Sequence, residues 1–313
     1  MPKVSICIPT YNRSHLLPIA IASVLTQTDA DWELLVCDDG STDATPEVMA
    51  SYQDDPRIRY LRHEHNIGKS NNMRSGYLAA EGQYFLKFDD DDGLTPEFLA
   101  QTVSVLATNP HVDFVGTDHW IIDEHNQRDL DATIANSKFW KRHKLPAGVV
   151  KNLLKQVFVH QSFQVGATLF RTAALQDVDF MRPDLQNCED NDLLVRLALA
   201  GKVGYYLPER LMEYRRHPEQ TSRSRALRYL EDKAQYLRYF QFEDMHLEQV
   251  RRNRLQDTEL QLGLRLIEVG QTQRGRALLQ EKPGRKAQVG RSLAYLPLPL
   301  RQWCFARIRQ MQS

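Results

Sequence analysis

Through its first 117 residues the chain alternates short apolar runs with helical patterns, and this alternation restricts the fold more than any other feature. The apolar runs fall at 4–8, 32–37, 58–61, 84–88 and 114–116. Helical periodicity fills the intervals at about 14–27, 44–52, 69–80 and 96–109. The helix starts are marked: Ser14 is placed to cap the first, Asp43 with Pro46 opens the second, and Thr95-Pro96-Glu97 opens the fourth. Strands that are continuously apolar and separated by helices predict a mostly parallel sheet covered on both faces.

Later segments are less regular. From His119 to about Leu145 the periodicity fades into polar sequence and reads as a long loop or lid. A strand is expected at 164–170, a helix at about 190–200, and two short strands at 205–207 and 211–214. Beyond Pro218 the chain reads as almost entirely helical, with a hairpin turning at Gly270-Gln271-Thr272.

Charge divides the chain in the same place. From Pro218 onward there are 18 Lys and Arg against 10 Asp and Glu, whereas the preceding residues hold 22 against 30, although the net charge is zero. The four cysteines are far apart, without CxxC spacing, and Cys7 and Cys37 lie in strand-like runs. They read as small hydrophobes in a reducing compartment, not as a disulfide framework or zinc site. The N-terminus enters a strand at once, and no apolar stretch approaches the roughly 20 residues of a membrane span. A cytoplasmic protein is expected.

The chemistry is carried by the polar segment at the end of each strand. Asp89, Asp90, Asp91 and Asp92 end the apolar run Tyr84-Phe85-Leu86-Lys87-Phe88. Carboxylates held that closely repel one another, and a divalent cation relieves the repulsion most simply. Pro9-Thr10-Tyr11-Asn12-Arg13 comes after the first strand, and its lack of GxGxxG disfavours a dinucleotide enzyme. Asp38-Asp39-Gly40-Ser41-Thr42-Asp43 comes after the second strand and reads equally as a ribose or base contact and as a helix cap. Asn66-Ile67-Gly68-Lys69 comes after the third. Four polar segments at one edge of a parallel sheet point to a binding cleft, because ligands sit at the carboxyl ends of such strands. About 100 residues later, Cys188-Glu189-Asp190-Asn191-Asp192 opens a helix, where acids also suit the macrodipole. Tyr214-Arg215-Arg216-His217-Pro218 brings two cations and an imidazole that could meet phosphate oxygens or a metal.

The order PTYNR, DDGSTD, NIG, DDDD, ED and YRRH resembles the family 2 glycosyltransferases of the glycosyltransferase A fold, over about residues 3 to 220. The resemblance implies an inverting transferase using a nucleotide-diphosphate sugar with Mn²⁺ or Mg²⁺. It implies a catalytic domain at 1–217, with a nucleotide-sugar-binding half at 1–95 and an acceptor-side half at 96–217, and a helical extension at 218–313. It puts Pro9, Tyr11, Asp38 and Asp39 around the nucleoside, with Asn66 and Lys69 in the third loop. It puts Asp89 toward the ribose or sugar, Asp91 on the metal, Asp92 in support, and Asp90 at the variable middle position. Asp190 matches the catalytic base, and Arg215 and His217 match the segment over the diphosphate, His217 as a metal ligand. Many relatives carry Arg-Asn where this chain has Met73-Arg74, so either Arg74 or Lys69 takes that charge. The acceptor is expected to be a glycan or a lipid-linked molecule, with no nucleic-acid partner.

Two other classes bear on the same residues. A nucleotidyltransferase shares an acidic metal site, but calls for a glycine-rich, basic loop that PTYNR does not supply. A non-catalytic sugar-nucleotide-binding protein has no need of both acid pairs. At the C-terminus, Leu300, Trp303, Cys304, Ile308 and Met311 share a helical face, with Arg301, Arg307 and Arg309 interspersed. That pattern suits either peripheral contact with an anionic membrane or packing on the rest of the protein.

Overall fold

The computed structural model describes residues 3–217 and 223–310, with side chains from 226 to 308 in the second stretch. The chain forms two compact units, Met1–Gln220 and Thr221–Ser313.

The first unit is built on one sheet. Its elements run β1 (Val4–Thr10), α1 (Leu17–Leu25), β2 (Trp32–Asp38), α2 (Thr45–Ala50), β3 (Ile58–Arg62), α3 (Lys69–Ala79), β4 (Tyr84–Lys87), β5 (Gly93–Leu94) and α4 (Phe98–Thr108). They continue with β6 (Phe114–Ile122), β7 (Arg128–Asp129), α5 (Leu130–Phe139), β8 (Gly148–Val149), β9 (Thr168–Arg171), α6 (Thr172–Gln176), α7 (Glu189–Leu199) and β10 (Gly204–Arg215). The sheet order is β3-β2-β1-β4-β9-β6-β10-β5. Strands β3, β2, β1 and β4 are parallel, as are β6 and β10. β9 runs antiparallel to both β4 and β6, between the two parallel groups.

The two-residue period of a strand sorts the sheet's faces. Val4, Ile6 and Ile8 join Leu34, Val36, Leu86 and Phe88 in a core closed by Leu17, Ile21 and Val24 of α1 and by Phe98, Leu99 and Leu106 of α4. On the opposite face Cys7 and Cys37 bring their Sγ atoms to 3.4 Å beneath α3. A Cβ on Gly76 would sit 2.2 Å from the Cys7 sulfur, so only glycine lets α3 approach that closely. All four cysteines are free thiols.

Several sequence expectations are corrected. Ser14 does not cap α1; Leu16 is at the cap, and the Ser14 N–H donates to Asp43 instead. The expected strand at 164–170 is a 3₁₀ turn, Val165–Ala167, followed by β9. The two short strands near the end of the unit are one strand, β10, with register shifts around Arg210 that mimic a break.

The largest correction is the stretch from His119 to Leu145, which is not a lid. It completes β6 and forms α5; the polar run 123–131 is exposed, but His119, Thr133, Ser137 and Arg142 are turned inward. Arg142 is buried and pairs with Asp118 at 2.6 Å. Its other nitrogen lies 3.2 Å from His119 Nε2 and also donates to Asn136. Ser137 donates to Asp118, and Thr133 accepts from the Ile121 N–H. Buried polar groups are mostly satisfied in this way, although His119 Nδ1 has no hydrogen-bond partner among the described residues.

This network carries a pH dependence. Burial, reinforced by Arg142, lowers the His119 pKa to about 3, against about 6.5 for an unfolded histidine. Between those values the unfolded chain binds a proton that the native one does not, so stability falls as pH drops. Chemical denaturation is expected to lose about 1 kcal/mol from pH 6 to pH 5 through this group. His119→Asn should flatten the slope by that amount, and an unchanged slope would remove His119 as its source.

The second unit contains α8 (Arg223–Tyr239), α9 (Met245–Glu268), α10 (Thr272–Leu279), α11 (Arg285–Leu293) and α12 (Leu298–Gln310). Asp244 caps α9 by accepting from the Leu247 N–H at 2.9 Å. One small core joins Ile267, Leu279, Ala287, Ala294 and Phe305, and another joins Leu230, Ala234, Leu262 and Leu266. The C-terminal apolar face does not turn inward as a unit. Arg301 is buried and donates to the carbonyls of Ile267 and Leu296, satisfying groups that helix ends leave without partners. Leu300 and Trp303 are 54% and 60% exposed. Met311 lies outside the described residues. Among those described, no helix is long and apolar enough to cross a membrane.

Candidate active site

The carboxyl ends of β1, β2, β3 and β4 lie side by side, so the loops after them share one edge of the sheet. The first two are stitched together. The Asn12 N–H donates to Ser41 Oγ, and Asn12 Oδ1 accepts from the Thr42 N–H. Gly40 turns with φ +76°, and a Cβ there would lie 2.8 Å from the His65 carbonyl carbon in the third loop. A side chain at this position would push the second and third loops apart.

Pro9 is buried in β1, and Tyr11 is exposed just beyond it. Asp39 is buried and accepts from the N–H groups of Ile67 and Gly68 at 2.7 and 3.2 Å, and burial raises its pKa despite those bonds. Asn66 is exposed, its Oδ1 accepting from the Gly68 N–H. Asp38 does not face a ligand. It is fully buried, with one oxygen accepting from the Ser41 N–H at 2.8 Å and the other from the Tyr60 hydroxyl at 2.5 Å. Of the first acid pair, Asp38 braces the loop and Asp39 stands nearer the edge.

The aspartate run is sorted by its partners. Arg13 donates to Asp90 Oδ1 and Asp91 Oδ2, both at 2.7 Å. Burial raises the Asp90 pKa to about 6, against the pull of Arg13. Asp91 Oδ2 also lies 3.1 Å from His217 Nε2. Asp92 sits beneath the others. It accepts from the Arg215 N–H at 2.9 Å, and burial, then Asp91 and Asp89, hold its pKa well above the carboxylate range. Arg215 corrects the expectation that it meets a diphosphate: its side chain is 1% exposed and donates to the main-chain carbonyls of Asp91 and Asp123. It fixes the shape of the turn.

Asp89 belongs to a second group of charges. Lys69, at the start of α3, lies 2.9 Å from Glu189 and 3.9 Å from Asp89. Burial opposes its charge, but Glu189, Asp89 and Asp190 outweigh burial and keep it protonated. Lys87 of β4 donates to Asp89 Oδ2 at 2.7 Å and lies 3.4 Å from Asp190 Oδ2. Burial raises the Asp89 pKa, and the two lysines more than reverse that. Asp192 of the same helix turn is structural, pairing with Arg196 at 2.6 Å. Arg74 turns away to Asp179 and nearby carbonyls while Met73 is buried, so Lys69 alone of the two cations enters the site.

The fold thus brings Asp190, far along the chain, into the same charge network as Asp89. Two site residues escaped the sequence reading, Lys87 and Arg13. A lysine inside an apolar strand was the available signal for the first, and an arginine facing four acids for the second. Among the described residues no three His, Cys, Asp or Glu form a preassembled metal cluster. Asp91 and His217 nevertheless fit two donors of a divalent site. Their 3.1 Å separation is close to the edge of an octahedron with ligands at about 2.1 Å, and Arg13 competes for the same Asp91 oxygen.

Comparison with known proteins identifies the family and the fold. The family model for glycosyl transferase family 2 matches residues 5–168. An uncharacterized glycosyltransferase of Haemophilus influenzae is 27% identical over 223 residues, 71% of this chain and 68% of that protein. The UDP-Glc:alpha-D-GlcNAc-diphosphoundecaprenol beta-1,3-glucosyltransferase WfgD of Escherichia coli is 34% identical over 123 residues, covering 39% of this chain and 48% of its own. Among solved structures, S. aureus TarS 1-349 in complex with UDP-GlcNAc superposes with a TM-score of 0.62 at 16% identity, over 97% of this chain and 92% of that one. The Pyrobaculum calidifontis mannosyltransferase PcManGT, in complex with GDP-Man and Mn2+, gives 0.60 at 17% identity, over 96% and 83%. These likenesses identify the glycosyltransferase A fold. With the matched family model spanning more than half its length, the chain belongs to glycosyl transferase family 2 and is a glycosyltransferase.

Proposed function

We propose that this enzyme is a metal-dependent inverting transferase that moves a sugar from a nucleoside-diphosphate donor to a hydroxyl of a glycan or lipid-linked acceptor. The observation that carries the reading is the convergence of the Asp89–Asp92 turn with Asp190 around two lysines. Pro9, Tyr11, Asp39 and Asn66 line the nucleoside side, with Lys69 and Asp89 toward the sugar and diphosphate. Asp91 and His217 would hold the cation, which when bound would supply positive charge to the leaving diphosphate. Asp190 takes the proton of the acceptor hydroxyl as it attacks the anomeric carbon from the face opposite the diphosphate. UDP-sugar and GDP-sugar complexes of fold relatives support a donor of this class.

The experiment is a thermal-shift screen of UDP-, GDP- and dTDP-sugars with Mn²⁺ or Mg²⁺. One donor is expected to raise the melting temperature only when metal is present, since a ligand that binds the native state stabilises it. No shift from any donor at any metal concentration would overturn the reading.

A lipid-linked acceptor would bring the enzyme to a membrane surface, and the second unit has a suitable face. From Lys282 to the C-terminus there are seven Lys and Arg and no Asp or Glu. Arg301 and Arg291 are bound to carbonyls and Lys282 to Glu259, whereas Arg285, Lys286 and Arg307 are exposed. Tyr295, Leu298, Leu300 and Trp303 are exposed beside them in sequence, with Arg307 over the Trp303 ring. Basic residues with interfacial aromatics suit an anionic bilayer. In sedimentation, anionic vesicles should carry down the protein and neutral ones should not. Trp303→Ser should weaken partition about tenfold or more, from roughly 2 kcal/mol of lost burial. Equal binding to both vesicle types would sink the proposal.

A further inference from the structure

Lys87 puts a cation where a central strand calls for an apolar side chain. It lies between Leu86 and Phe88, both fully buried, and is itself 0% exposed. An ammonium stays charged in such a place only when anions surround it. Two do: Asp89 Oδ2 at 2.7 Å and Asp190 Oδ2 at 3.4 Å. Burial works against the charge, and Asp190 and then Asp89 outweigh burial and raise its pKa. Lys69 does not duplicate this bridge, because it pairs with Glu189 at 2.9 Å and reaches Asp89 only at 3.9 Å.

The two oxygens of Asp190 are therefore not equivalent. Oδ2 faces Lys87, while Oδ1 is hidden from solvent and has no hydrogen-bond partner among the described residues. The Asp190 side chain as a whole is nevertheless 32% exposed.

We propose that Lys87 is a positioning residue that grips Asp190 through Oδ2 and so holds its carboxylate in place for the acceptor hydroxyl. The same ammonium fixes that base relative to Asp89 on the donor side. The inference rests on the reading of Asp190 as the base. In the step, the acceptor O–H proton passes to the Asp190 carboxylate while the acceptor oxygen bonds to the anomeric carbon. The bond from that carbon to the diphosphate oxygen breaks, and its electron pair leaves with the nucleoside diphosphate. Lys87 keeps its proton throughout.

A double-mutant cycle tests this, using the donor found in the thermal-shift screen. Lys87→Met is made alone and on an Asp190→Asn background, with kcat, donor Kd and melting temperature measured for each. Alone, Lys87→Met should lower kcat about 100-fold while donor Kd changes less than about threefold. On the Asp190→Asn background it should cost less than about threefold more, because a residue acting through another has nothing left to act on. Equal losses on both backgrounds, or a loss confined to donor Kd, would overturn the proposal. Lys87→Gln keeps a hydrogen-bond donor without charge and decides the matter if the Met variant does not fold: lowered kcat at unchanged Kd supports the proposal, and wild-type kcat overturns it. A fully active Asp190→Asn enzyme would instead remove the base assignment, a failure separate from that of Lys87.

Discussion

Asp190→Asn should leave donor binding intact and lower transfer about a thousand-fold. The amide keeps the volume of the carboxylate but cannot accept a proton at neutral pH, and positioned bases contribute typically 10²–10⁴-fold. Donor Kd should stay within about threefold of wild type, because Asp89 and Lys69 make the donor-side contacts in this scheme. The substitution also withdraws one of the two anions beside Lys87, so the melting temperature must be followed to separate lost chemistry from lost structure. A variant that folds, binds donor and retains full transfer would eliminate Asp190 as the base.

Asp91→Asn should act on the other half of the reaction. With one hard oxygen ligand neutralised, metal-dependent donor binding should weaken about a hundredfold or more, read as the Mn²⁺ concentration needed for a donor-induced thermal shift. The fold should survive, since Asp90 still pairs with Arg13 at 2.7 Å. A metal response equal to wild type would move the cation site elsewhere. The two variants together separate donor capture from proton transfer.

Much of the proposed donor half is legible in the sequence. Each polar segment comes after a buried strand, and a parallel sheet puts such segments along one edge. The direction in which each acid points could not be read. Asp38 and Asp39 are neighbours in sequence, yet Asp38 is consumed by Ser41 and Tyr60 while Asp39 binds the third loop. Arg215 looked like a phosphate ligand and is a brace for main-chain carbonyls. The segment from His119 to Leu145 looked like a loop because an exposed polar turn at 123–127 interrupts it and because several of its other polar residues are satisfied inside the protein, as Arg142 is by Asp118. Hydrophobic periodicity cannot register a polar core.

The sequence by itself determined the parallel part of the sheet, the edge at which its polar loops gather and the acids from which the proposed site is built. These features arise from local rules: strand and helix periods, turn residues, and the cost of crowding four carboxylates. Only the tertiary structure decided the pairings, setting Arg13 against Asp90 and Asp91, His217 beside Asp91, and Lys87 between Asp89 and Asp190. A charge's role depends on which opposite charge shares its buried surroundings. Apart from Lys87 and Asp89, which are two residues apart, the partners here lie about 80 to 130 positions apart, beyond the reach of any local pattern.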